Sequence, residues 1–166
     1  MRHLLATAAV ASLAAATLAF APPAAAKVAI DMSSVRLSAP YAKSPTSVTV
    51  VVKITQTSYA NISLNVSLEG FRALKAFAYG KGACPRSVAQ IDGPLTVREC
   101  GWEQEDGSAV LRLALGGTTA SGKVKVTIAS GALVAPSRAG EYSVSLSSWA
   151  FDSVKTRVSI ASGPVK

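Results

Sequence analysis

The stretch GACPRSVAQIDGPLTVRECGW, from Gly82 to Trp102, holds both cysteines of the chain, two arginines and one of its two tryptophans. Cysteines can serve as a redox pair, as metal ligands or as a covalent clamp. A redox pair needs two neighbouring thiols at a helix start, where the local field lowers one pKa. Cys84 is followed instead by Pro85-Arg86 and has no partner close by along the chain. Zinc would need two further soft or imidazole ligands, and the single histidine is His3. In an exported chain, cysteines placed as Cys84 and Cys100 are most simply a disulfide that staples a local loop.

Other chemistry is sparse. Glu103, Glu105 and Asp106 are the one acidic cluster that could act as paired carboxylates, and their place in a turn before a strand suits a solvated group better than a general acid. Basic side chains are more informative. Arg86, Arg98 and Trp102 would be presented by the clamped loop, with Lys75 and Lys81 on its approach, and together these five are the expected rim of a site for an anionic ligand. Arg112, Lys123 and Lys125 are the next candidates; like Lys155 and Arg157, which are not among them, they sit at outward positions of strands. Outward lysine is also an ordinary way to keep a β surface soluble and its edges unpaired. The bound group would be an anionic small molecule or an acidic surface polymer, and binding would weaken with salt. Ten aromatic residues and export argue against nucleic acid.

Compartment follows from MRHLLATAAVASLAAATLAFAPPAAA, which has a basic start at Arg2, an apolar stretch from Leu4 to Phe20 and a small-residue exit at Ala24-Ala25-Ala26. This pattern is that of a secretory signal peptide over residues 1–26, and residues 27–166 are expected to form one secreted, monomeric domain with no transmembrane segment. Its roughly 140 residues can bury a real core. Cleavage would remove His3, and with it every His-based catalytic arrangement. The whole chain has seventeen Lys plus Arg against nine Asp plus Glu, a formal net charge of +8; without Arg2 it is about +7.

The elements that must position these residues are strands. Ser47–Thr57 is β-branched nearly end to end, and Asn61–Leu68 alternates apolar and polar residues. Alternation recurs in Leu111/Leu113/Leu115, Val124/Val126/Ile128 and Tyr142/Val144/Leu146, and a last strand runs from Val154 to Ile160. Leu95–Val97 reads as a short β run inside the clamped loop, and Phe71–Tyr79 as either a strand or a short helix. Gly, Pro, Ser and Asn clusters between the strands predict an all-β, antiparallel sandwich.

From Pro136, PSRAGEYSVSLSSW resembles the approach to a late strand in immunoglobulin-like and fibronectin-III-like domains, where a tyrosine hydrogen-bonds back across the turn. The resemblance implies that Tyr142 is this corner residue, a determinant of the fold rather than of a site. The disulfide departs from the antibody pattern, in which the cysteines lie much further apart with a Trp between them. In size, leader, charge and fold class the chain is also similar to the RoxP-type secreted antioxidants of actinobacteria. That resemblance implies a protective, radical-quenching role and a haem or other tetrapyrrole held in a basic cleft. Without histidine an axial ligand would come from Met32 or a tyrosine such as Tyr41, Tyr59 or Tyr79, or there would be none, so that the haem contact would be mainly stacking, with Lys and Arg pairing the propionates. The alternative is a non-catalytic extracellular binding or adhesion module for acidic polymers or a protein partner.

Overall fold

The structure is a computed structural model that describes residues 30–54, 61–116, 122–148 and 151–163. The leader segment 1–26 and Tyr59 lie outside the described residues. In chain order the strands are β1 (Ile30–Leu37), β2 (Val48–Ile54), β3 (Asn61–Glu69), β4 (Arg72–Ala73), β5 (Phe77–Lys81), β6 (Ala89–Asp92), β7 (Thr96–Glu105), β8 (Ser108–Gly116), β9 (Gly122–Ile128), β10 (Leu133–Val134), β11 (Gly140–Ser148) and β12 (Phe151–Ile160). A short 3-10 turn, Ser130–Ala132, precedes β10. No helix among the described residues is long and apolar enough to cross a membrane.

Antiparallel pairing builds a four-stranded sheet, β1-β2-β9-β6, a six-stranded sheet, β12-β11-β3-β8-β7-β5, and a small pair, β10-β4. The sequence alternation decides which side of each large sheet is dry. Val48, Val50, Val52, Val124, Val126 and Ile128 of one sheet join Leu64, Val66, Leu111, Leu113, Val144 and Leu146 of the other in a single buried cluster. Period-2 patterning thus gives each sheet one apolar face, and the two faces close on each other as a sandwich.

The disulfide-enclosed segment is more regular than its composition suggests. It is neither an irregular excursion nor a presented loop, because β6 pairs with β9 in the four-stranded sheet while β7 pairs with β5 and β8 in the six-stranded one. The segment is the crossover between the two sheets. Cys84 and Cys100 are bonded with their Cα atoms 5.3 Å apart, and both are buried. Phe71–Tyr79 contains no helix: it holds β4, a bend, and the start of β5. Glu103 and Glu105 stand on β7 rather than in a turn. Only Asp106 is in the turn, where it and Gly107 take positive φ of 43° and 78° as a two-residue type I′ hairpin requires.

The corner hydrogen bond is present. Tyr142 Oη donates to the Arg138 carbonyl at 2.9 Å, and its half-buried ring meets Phe71 edge-on with centroids 6.5 Å apart. Gly70 lets this ring approach. A Cβ there would lie 2.7 Å from Tyr142 Cε1, and the residue has a φ of +74°.

Candidate functional site

The five residues expected to rim one site are dispersed. Trp102 is wholly buried, its Nε1 donating to the Leu74 carbonyl at 2.8 Å, so the indole is a core anchor and no part of a surface site. Its position on β7 is opposite Phe77 of β5, whereas Lys81 lies at the other end of that strand, opposite Glu99. Lys75 is exposed in the bend before β5 with a φ of 55°, and its ammonium reaches towards Gly131. Arg98 folds its guanidinium over Gly116 of the neighbouring strand. Arg86 is exposed. With Ala83, Cys84, Gln90, Asp92 and Val97 it lines an open groove of about 290 Å³ beside the disulfide.

Outward basic residues also divide between the two faces of the sandwich. Arg112 on β8 belongs to the outer face of the six-stranded sheet, where Glu103 lies 3.3 Å from its Nε and Glu105 accepts a hydrogen bond from its Nη2. Two of the three carboxylates of the acidic cluster, Glu103 and Glu105, are thereby absorbed as counter-charge for one guanidinium. Beside it Tyr79, Ser63 and Asn65 complete a shallow depression of about 340 Å³. The Tyr79 phenol is pushed up to about 12, first by loss of hydration and then by its hydrogen bond to the Glu99 carboxylate. Lys155 and Arg157 are exposed at the far edge of the same sheet, on β12.

Lys123 and Lys125 stand on the opposite side of the molecule, on β9. Lys123 is the direct cross-strand partner of Lys53 on β2, and Lys53 is in turn opposite Asp31 on β1. Lys125 Nζ lies 3.9 Å from Asp92, a contact too exposed to neutralise it. Arg36, opposite Thr49, extends the basic face along β1. Lys53 and Arg36 were legible as outward positions of alternating strands, but only the register joins them to Lys123 and Lys125.

No known protein family matches this chain, and neither does any curated protein. The site must therefore speak through its own chemistry. Among the described residues no three His, Cys, Asp or Glu side chains converge as metal ligands do. Of the side chains considered as haem ligands, Met32 packs against the core, Tyr41 forms a bridge to Ala161, and Tyr79 is bonded to Glu99, three separate places on the molecule.

Proposed function

We propose that this protein is an exported, non-catalytic binding module that holds an acidic surface polymer on the outer face of its four-stranded sheet. The observation that carries this reading is the direct opposition of Lys53 and Lys123, flanked by Lys125 and Arg36 on the same face. Like charges opposite one another destabilise a strand pair, so a polyanion lying across β2 and β9 would gain from an arrangement that the free protein does not need. The leader-like first residues and the buried disulfide support export. Binding to immobilised polygalacturonate should be lost steeply as salt rises. The double variant Lys53→Gln/Lys123→Gln should bind about tenfold more weakly, two exposed contacts of up to about 1 kcal/mol each, with an unchanged or slightly higher Tm. Equal retention of both proteins at every salt concentration would refute this assignment.

A second reading, the radical-quenching role implied by the resemblance to RoxP-type proteins, is favoured by Tyr79. Its side chain is exposed, with 43% of the residue's surface accessible, and its hydroxyl is already directed at a carboxylate. A one-electron oxidant would take an electron from the phenol as the proton passes to Glu99, leaving a tyrosyl radical and the reduced oxidant. Brief exposure to such an oxidant should give a tyrosyl signal in electron paramagnetic resonance that Tyr79→Phe removes and Tyr41→Phe leaves. A signal that survives Tyr79→Phe excludes this residue as the quencher.

A further inference from the structure

A third cluster of basic residues lies at the end of the sandwich marked by the small β10-β4 pair. Three backbone segments meet there. Val134 is the partner of Arg72 on one side and of Pro45 on the other, and the middle segment is tied to the 43–46 segment by three hydrogen bonds. Lys43 N–H donates to the Pro136 carbonyl at 3.0 Å, Ala135 N–H to Ser44 at 2.9 Å, and Thr46 N–H to Leu133 at 3.2 Å. Cross-strand partners share a face, which sets Arg72 beside Val134. Lys43, from the turn before Pro45, joins them in lining one open cleft, of about 440 Å³, together with Gly70, Ala135 and Ser137.

The lining supplies an ammonium, a guanidinium fork and a hydroxyl, and no carboxylate. Among the described residues the ion pairs are those of Arg112 and Lys125, so the charges of Lys43 and Arg72 are not neutralised by a neighbour. The nearby acids on β3 and β11 are occupied: Glu69 accepts from Ser143 N–H at 3.0 Å and Glu141 from the Ser159 hydroxyl. Backbone conformation gives an independent sign. Lys43 is the third residue of a turn closed by Ser44 N–H to the Tyr41 carbonyl, and its φ is 60°, the left-handed region where glycine or asparagine is the ordinary choice. A long cation kept at such a position, on the wall of a cleft, is the kind of strain that accompanies binding. The floor is closely packed as well, since the Tyr142 ring and Pro136 leave no room for a Cβ at Gly70 and the Tyr142 hydroxyl donates to Arg138 in the loop that carries Ser137.

We infer that the cleft of Lys43, Arg72 and Ser137 is a binding site for a phosphate-type dianion, either the free ion or the terminal group of a small phosphomonoester. Two unbalanced cations match a dianion, the guanidinium takes two of its oxygens side by side, and the hydroxyl donates to a third. This site does not depend on the polymer-binding face, which is formed by different strands. The test is titration of the disulfide-bonded protein with inorganic phosphate and with phenyl phosphate, followed by backbone amide chemical shifts, with acetate as the singly charged control. Saturable shifts confined to residues 43–46, 70–73 and 134–138 are expected, with a dissociation constant on the order of 1 mM. Tighter binding of the free ion or of the ester identifies the source. Lys43→Gly should weaken binding about tenfold while keeping or raising the Tm, because glycine relieves the turn. Arg72→Gln should also weaken binding, and Lys53→Gln/Lys123→Gln should leave it intact. Shifts that fail to saturate, that acetate reproduces, or that persist in the Lys43→Gly/Arg72→Gln double variant overturn the assignment.

Discussion

Trp102→Ala is expected to lower the stability of the protein by about 3 to 5 kcal/mol, the range for deleting a wholly buried large aromatic side chain. Trp102 is the largest fully buried side chain among the described residues, and no part of it is exposed. The loss has two parts. Removing the indole opens a cavity between β5, β7 and the inner face of the sandwich, whose neighbours are held by hydrogen-bonded ladders and can collapse only partly. It also leaves the Leu74 carbonyl without its 2.8 Å donor, in the bend that sets the start of β5. Trp102→Phe separates the two, since it keeps most of the apolar volume and forfeits the hydrogen bond; it should cost about 1 to 3 kcal/mol. Guanidinium unfolding of both variants gives the comparison directly. A change below about 1 kcal/mol in Trp102→Ala would mean that the indole is not a core anchor, and would return it to the surface as a candidate contact.

The reason Trp102 reads as a surface residue in the sequence is physical. Strands β2, β3, β8, β9, β11 and β12 announce themselves because apolar inward positions alternate with outward Ser, Thr, Asn, Lys or Arg. In β7, TVRECGWEQE, the inward residues include Cys100 and Trp102 and the outward ones include Glu99, Glu103 and Glu105, so the alternation is present but written in residues commonly found in loops. In β5, FAYGK, four of five residues are exposed because it is a short edge strand, and little apolar signal remains. The Asp106-Gly107 pair was the missed local cue, for it marks the hairpin that makes β7 a strand continuous with β8. Alternation also says that Arg112, Lys123 and Lys125 point outward without saying outward from which sheet. Sheet membership depends on pairing between distant segments, and here it sends the arginine and the two lysines to opposite sides. Lys43 and Arg72 leave no periodic trace at all, since one sits in a turn and the other in a two-residue strand; they meet through Val134, which pairs with Arg72 on one side and with Pro45, two residues after Lys43, on the other.

Removal of the Cys84–Cys100 bond should lower stability by about 3 kcal/mol, from the entropy returned to the unfolded chain when a loop of this length opens. The bond closes a sequence separation of 16 residues; the chain has left β5 of the six-stranded sheet just before it, and within it pairs as β6 in the four-stranded sheet and returns as β7. Its location gives the loss a second component. β6 is an edge strand of only four residues held by β9 alone, so a chain free to leave the sheet there exposes Val88, Ala89 and Leu95, all buried in the native state. Cys84→Ala/Cys100→Ala should therefore unfold at lower denaturant than the oxidised protein, and amide exchange should accelerate first in residues 84–95. Both cysteines are buried, and alanine in their place keeps the position small and apolar, which separates loss of the crosslink from burial of a polar group. If exchange rises evenly through both sheets, the bond acts only on the unfolded chain. If stability falls by less than about 1 kcal/mol, the four-residue pairing with β9 is enough to hold the crossover, and the clamp is not what keeps the two sheets connected at this edge.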